Sequence, residues 1–235
     1  VGKVSGHPLT LKLVAGLLNQ EIGKEATIDD LGELGLADMA ELLATLEGYH
    51  RGEIVQLVAV LQASFNRLSA KLKQVLSSLV VLRQGFDAEV ASAMSGEEVT
   101  PKEMRRLAKR GLLVEETKGV YQFQPFIGEY LRYQTGDLSQ WHQQAIRFYQ
   151  TRYQPREEWE TVEDLQAYLE AFYHHCQLGE YETAFDVIWE GDDVDDFLTL
   201  RGNYQIQVEL YQEYQELVEG LATDQEDWRY PAALI

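Results

Sequence analysis

Residues 100–123 read TPKEMRRLAKRGLLVEETKGVYQF, and this stretch decides the fold of the centre of the chain. Thr100-Pro101 predicts the start of a helix, because a proline in the first turn has no helical hydrogen bond to lose. Gly111 predicts the end of that helix. Two short β-type runs follow, joined by Lys118-Gly119. A glycine-containing turn between two such runs predicts a β-hairpin.

The residues before this stretch predict two further helices. Ser69 is a candidate N-cap, followed by an inward-facing row of leucines and valines. Asp87 caps a short helix that ends near Met94, and Phe86 before it is a candidate core residue. Helix, helix, helix and two-stranded hairpin is the order of a winged helix, which we place at residues 51–136.

The regions on both sides of the winged helix contain only helical patterns. Residues 1–50 predict a small helical domain, since apolar residues recur at helical spacing after Pro8. Residues 137–235 predict irregular helix pairs, because Gly179 and Gly202 each end a helix and a tyrosine follows two residues later. This is the turn chemistry of tetratricopeptide (TPR)-type repeats. The predicted fold class is all-α with a small two-stranded β wing, a winged-helix domain followed by TPR-like α-helical repeats.

The charge of the chain is unevenly distributed. Its 235 residues carry a formal net charge of −19, and residues 157–196 contain no Lys or Arg. No apolar run approaches the ~20 residues of a membrane span, and the one cysteine, Cys176, has no partner for an internal disulfide. We therefore expect a cytoplasmic protein without membrane contact. Because the chain starts at Val1, almost directly on a helical pattern, we expect a fragment of a longer protein.

A basic cluster lies on the predicted third helix of the winged helix. In DNA-binding winged helices this helix enters the major groove. The cluster is therefore a candidate DNA-binding or docking patch, and a solvated face is the third interpretation. The acidity of the rest of the chain weighs against nucleic acid, because phosphate backbones repel it. The cluster consists of Lys102, Arg105, Arg106, Lys109 and Arg110.

Three segments resemble, in order, the landmarks of the C-terminal part of an NB-ARC or related STAND signalling ATPase. Residues 5–11, SGHPLTL, resemble the Gly-Leu-Pro-Leu-Ala-Leu motif that opens the small helical domain. Residues 61–69, LQASFNRLS, resemble the Ser-Tyr-Asp-x-Leu segment, and residues 122–131 resemble the end of the winged helix. The resemblance covers about the first 135 residues, and residues 139–217 look like the helical-repeat sensor that often follows.

The resemblance implies a function for the longer protein. It implies a nucleotide-dependent signalling ATPase that uses ATP or ADP with Mg²⁺, and a fragment that packs on its own upstream NTPase domain. Gly6, Pro8 and Gln124 would lie near the nucleotide, and the helical repeats would bind a protein or peptide. The family commonly has Met-His-Asp where this chain has Phe123-Gln124-Pro125. In the family the histidine reaches the β-phosphate of ADP, whereas Gln124 can donate a hydrogen bond but carries no charge.

No catalytic constellation stands out in the sequence. The chain has no G-x-x-x-x-G-K-[ST] motif and no Walker B aspartate after a buried strand, so we expect neither ATP hydrolysis nor a cofactor in this fragment. His174-His175-Cys176 invites a metal interpretation, but adjacent helical side chains diverge by about 100°, and we predict buried packing roles. The acidic run 190–196 lacks EF-hand spacing, and we predict that Asp192 or Asp193 caps a helix beginning near Val194.

The leading hypothesis is the regulatory portion of a STAND-type signalling switch. The winged helix would serve as a packing and autoinhibitory element, and the repeats would provide a ligand- or protein-binding surface. The alternatives are a winged-helix transcription regulator that binds DNA and a TPR-type interaction scaffold without nucleotide control.

Overall fold

A computed structural model describes residues 61–62, 64–191 and 193–219. In this part of the chain the structure is mostly helical and contains a two-stranded antiparallel sheet, as predicted. The predicted helical domain at residues 1–50 lies outside the described residues, and so do the candidate nucleotide neighbours Gly6 and Pro8.

The chain divides into two units, residues 1–141 and residues 142–235. The division falls inside a helix, between Trp141 and His142. The described elements of the first unit, in chain order, are α1 (Ala70–Leu79), α2 (Ala88–Ser95), α3 (Pro101–Lys109), β1 (Val114–Thr117), β2 (Val120–Gln122), α4 (Pro125–Thr135) and the start of α5 (Ser139–Gln150).

The first three helices begin at the capping residues predicted from the sequence. The Ser69 hydroxyl accepts a hydrogen bond from the backbone N–H of Leu72, and the Asp87 carboxylate accepts two from the first turn of α2. Thr100 and Glu103 form a reciprocal capping box at the start of α3, next to Pro101. Because each side chain satisfies amides that the helix leaves unpaired, the helix starts are set locally.

The hairpin pairs β1 with β2 in antiparallel register, with an irregularity between Glu115 and Thr117. A third backbone segment joins this sheet at a single residue. Phe86 and Tyr121 exchange two backbone hydrogen bonds of 2.9 and 2.8 Å, so the loop between α1 and α2 extends the sheet. The sequence predicted Phe86 as a core residue, which its 2% exposure confirms, but not as a partner of β2.

The core of the first unit lies between the helices and the hairpin. Helix α1 packs against α2 and α4, and the hydroxyl of Thr135 in α4 donates a hydrogen bond to that of Ser77 in α1. Side chains that are at most 2% exposed fill the space between them: Val75, Leu76, Leu79, Phe86, Ala91, Met94, Met104, Leu107, Tyr121, Ile127 and Tyr130.

The described part of the second unit contains only helices. After the end of α5 these are two 3₁₀ turns (Arg156–Glu158 and Val162–Leu165), α6 (Gln166–Gln177), α7 (Tyr181–Phe185), a π-helical segment (Asp186–Gly191), α8 (Val194–Leu200) and α9 (Tyr204–Glu219). None of the described helices is long and apolar enough to cross a membrane.

Both predicted glycine turns are present in the second unit. Gly179 follows α6 with φ 72°, and Gly202 follows α8 with φ 73°, a left-handed conformation that favours glycine. Tyr181 and Tyr204 then begin the next helices. Helix α8 begins at Val194 with Asp193 at its N-cap, as predicted. The Asp193 side chain makes no capping bond, however, and the residue itself adopts φ 58°. Asp192, the other candidate cap, lies outside the described residues.

Aromatic side chains dominate the core of the second unit. Trp189, in the π-helical segment, lies with its ring centre 5.8 Å or less from those of Phe172, Phe185, Tyr211 and Tyr214. The π segment therefore presents its indole to α6, α7 and α9 at once.

Candidate functional site

Gln124, the predicted nucleotide neighbour, caps helix α4 and lines an open cleft of about 160 Å³. Its side chain makes no capping bond, and Pro125 occupies the first helical position. The cleft is formed by the loop after α1, the end of the hairpin and the first turns of α4. Its lining residues are Leu82, Arg83, Gln84, Phe86, Gln122, Phe123, Gln124, Pro125, Gly128 and Arg132.

The polar groups of this cleft suit an anion. Arg83 and Arg132 contribute two guanidinium groups, and no carboxylate lines the cleft. The N-terminus of α4 adds the positive end of a helix dipole. Arg132 forms a 2.6 Å ion pair with Glu129, whose side chain is 61% exposed. Because solvent screens this pair, Glu129 competes only weakly with an anion for the Arg132 guanidinium. Sequence reasoning named Gln124 but missed both arginines, which lie 41 and 8 residues away from it in the chain.

The second candidate site is the basic cluster on α3. Lys102, Arg105, Arg106 and Lys109 are all exposed, and their i, i+3, i+4, i+7 spacing places them along one face of the helix. We call this set the basic stripe. Met104 and Leu107, fully buried, occupy the opposite face.

Arg110 does not belong to the basic stripe. It caps the C-terminus of α3 and is 3% exposed. The sequence placed Arg110 in the patch because it is contiguous with Lys109, but one further residue along a helix turns the side chain by about 100°. The candidate patch therefore contains four cations, and Arg110 is part of the interior.

A partly exposed ion pair beside the basic stripe joins α3 to α1. The carboxylate of Glu103 accepts a 2.7 Å hydrogen bond from Lys71 and another from the backbone N–H of Thr100. These bonds, that from Lys71 first, lower the pKa of Glu103 to about 2. The ionised carboxylate thus joins the helix cap to a neighbouring helix.

A second open cleft, of about 410 Å³, lies beside the stripe at Arg105. Its charges are mixed: Asp87, Glu89 and Glu115 face it together with Arg105 and Lys118. Burial raises the pKa of the Tyr121 hydroxyl at its wall. Because three carboxylates line the cleft beside Arg105, a phosphate backbone lying across the stripe would meet repulsion as well as attraction.

The histidines and cysteine of α6 are buried, as predicted. His174, His175 and Cys176 are 0%, 6% and 2% exposed. His174 forms a 2.9 Å Nδ1–Nδ1 hydrogen bond with His142, and His175 bonds Glu180. Within residues 64–191 and 193–219 no three candidate metal ligands come together. The bond between His142 and His174 joins α5 to α6. The two residues are 32 positions apart in the chain, and no pattern in the sequence indicated that they pair.

Comparison with known proteins adds no relative to this description. No protein family matches the chain, and no curated protein or solved structure is significantly similar to it.

Proposed function

We propose that this chain is the regulatory part of a nucleotide-dependent signalling switch of the STAND type. In this proposal residues 51–136 form a winged helix that packs against an upstream NTPase domain and holds it in its inactive state. The helical region from residue 137 onward, with TPR-like pairs, binds the protein or peptide that relieves the inhibition. ATP or ADP with Mg²⁺ would belong to the upstream domain, and this chain would have no catalytic role.

The observation that carries the proposal is the position of Gln124. It lies at the start of α4, in a cleft that also contains Arg83 and Arg132. An amide donor beside two cations at a helix N-terminus suits the terminal phosphate of a bound nucleotide. In such a switch the arginines would supply the charge that glutamine lacks. The order of helices, the one-residue strand at Phe86 and the hairpin are in keeping with a winged helix.

The test uses the chain joined to its natural upstream sequence. A hydrogen bond to a charged group contributes about 1.5–3 kcal/mol, so Gln124→Ala is expected to speed the release of a fluorescent ADP analogue by about 10- to 140-fold. Gln134→Ala, an exposed glutamine at the other end of α4, is the matched control and is expected to leave release unchanged. A longer protein that binds no nucleotide, or whose release rate ignores Gln124, contradicts the proposal.

The basic stripe favours DNA binding as a second candidate function. Four exposed cations along one face of α3 could each displace a counterion from duplex DNA, which predicts a slope of about −3 to −4 in a plot of log affinity against log salt concentration. Binding of a labelled duplex at low salt should be lost in Arg105→Glu/Arg106→Glu and retained in Arg67→Glu. No binding at low salt removes this candidate.

A further inference from the structure

Three large apolar side chains around the turn between α8 and α9 are exposed to solvent. Leu200 is 77% exposed, Tyr204 61% and Val208 47%. They lie within nine consecutive residues, whereas the rest of the described chain contributes one comparable residue, Tyr133. Isolated exposed hydrophobics are ordinary, but a concentration of them marks an interaction surface.

The geometry of α9 separates this surface from the core. Tyr204 and Val208 are four residues apart and share one side of the helix. Leu210 and Tyr214, each 7% exposed, face the core of the second unit. The apolar surface is therefore additional to the packing that holds α9 in place. Along α9 it covers about one helical turn.

Exposed carboxylates accompany the three apolar residues along the chain. Asp196 precedes Leu200 by one turn of α8, and Glu209 and Glu216 lie on the exposed side of α9. Two cations of this region, Arg156 and Arg201, have their guanidinium groups over the ring of Phe197, at 4.9 and 5.3 Å. Acidic side chains thus accompany the exposed apolar groups on both helices.

The second unit as a whole carries a large negative charge. Residues 142–219 contain 18 Asp or Glu and 4 Lys or Arg, a formal charge of −14. Residues 61–141 contain 9 acidic and 11 basic residues, a formal charge of +2. The acidity of the protein is therefore concentrated in the unit that carries the exposed apolar residues.

We propose that Leu200, Tyr204 and Val208 form a docking surface for a basic amphipathic helix of another protein. Charge complementarity selects this occupant. Residues 220–235 carry three acidic residues and one arginine, which is the wrong sign. A second copy would offer its basic stripe on α3, but the apolar residues of that helix, Met104 and Leu107, are fully buried. A helix with apolar side chains four residues apart and Lys or Arg beside them matches both the apolar row and the exposed carboxylates that accompany it.

This inference rests on the proposed function, because it names the partner class for the helical region that the switch would sense. The two can fail separately. Docking is measured without nucleotide, whereas the proposed function is judged by nucleotide release. A chain that binds the basic helix but never influences nucleotide would leave the docking surface intact.

The experiment titrates the full chain against a fluorescein-labelled 18-residue peptide of leucine and lysine, with its leucines on one helical face. We follow binding by fluorescence anisotropy. A peptide of the same composition in scrambled order controls for charge alone. Leu200→Ser/Val208→Ser is expected to weaken binding of the amphipathic peptide at least tenfold. Tyr133→Ser, which removes an exposed aromatic side chain from the described part of the first unit, is expected to leave binding unchanged. Circular dichroism verifies that each variant is folded.

Other results overturn the proposal. Equal binding of both peptides, or no loss in Leu200→Ser/Val208→Ser, would mean that the surface provides only nonspecific attraction. A chain ending at Glu219 that binds the peptide more than tenfold tighter than the full chain would identify residues 220–235 as the occupant. Concentration-dependent self-association in sedimentation, abolished by the serine variant, would identify a second copy.

Discussion

Replacing Glu103 with alanine tests how the helix that carries the basic stripe is held. Glu103→Ala removes two interactions: the reciprocal bond with Thr100 that closes the capping box, and the 2.7 Å contact with Lys71 of α1. A lost cap costs ~1 kcal/mol. An ion pair that reaches solvent adds ~0.2–1 kcal/mol. We expect the free energy of unfolding to fall by about 1–2 kcal/mol.

The pKa of Glu103 sets an upper limit on this effect. If the whole pKa shift, from 4.5 to about 2, contributed to the free energy of unfolding, it would amount to about 3 kcal/mol. The side chains of Lys71 and Glu103 are 33% and 27% exposed, so solvent screens part of that interaction. The expected loss of about 1–2 kcal/mol therefore lies below this limit. A measured loss above the limit would mean that Glu103 stabilises the fold through further contacts.

The assay is urea unfolding followed by far-UV circular dichroism, with three companion variants. Lys71→Ala should cost only the ion-pair part, Thr100→Ala only the capping part, and Glu103→Gln should keep the cap better than alanine does. In 1 M NaCl the cost of Lys71→Ala should shrink, whereas that of Thr100→Ala should not. If both Glu103→Ala and Lys71→Ala change the unfolding free energy by less than ~0.3 kcal/mol, the anchoring argument is wrong.

Four further predictions concern the rest of the described chain. Because the folded pKa of Glu103 lies below its unfolded value, its contribution should be complete above pH ~5 and disappear as the pH falls toward 2; a wild-type and Glu103→Gln difference that persists at pH 2 contradicts this. Phe86→Ala should cost ~3–5 kcal/mol in urea unfolding, since it empties a fully packed site. Tyr130→Phe should raise the unfolding free energy by ~1 kcal/mol, because the buried hydroxyl has no hydrogen-bond partner among the described residues; a loss of stability would reveal one. Gly202→Ala should cost ~1–2 kcal/mol at φ 73°, and a neutral result would show that the turn relaxes.

Helix starts and turns could be predicted from the sequence because their causes are local. Ser69, Asp87 and Thr100 each bond amides within three residues, so spacing alone identifies them. Gly179 and Gly202 end helices because glycine adopts the left-handed conformation without strain. These local signals are enough to predict a mostly helical chain with one hairpin, and they require no tertiary contact.

The features that the sequence did not predict depend on contacts between residues far apart in the chain or on the direction of a side chain around its helix. Arg83 and Arg132 meet at the cleft beside Gln124 only after α1, the hairpin and α4 have packed. Arg110 was assigned to the patch by contiguity, but its direction on the helix takes it inside. The bond between His142 and His174 likewise forms across two helices. A single sequence does not encode such pairings in any pattern of spacing.

The π-helical segment gives the second unit its own optical reporter. The indole of Trp189 lies 4.8 Å from the ring of Tyr211 and 5.6 Å from that of Tyr214, between ring centres. At this separation, light absorbed by the tyrosines transfers to the tryptophan by resonance. A shift of α9 relative to the π segment would change the surroundings of the indole, and with them its emission. In a variant that keeps Trp189 and replaces the other three of the chain's four tryptophans, fluorescence can therefore follow movements of α9 with no attached dye.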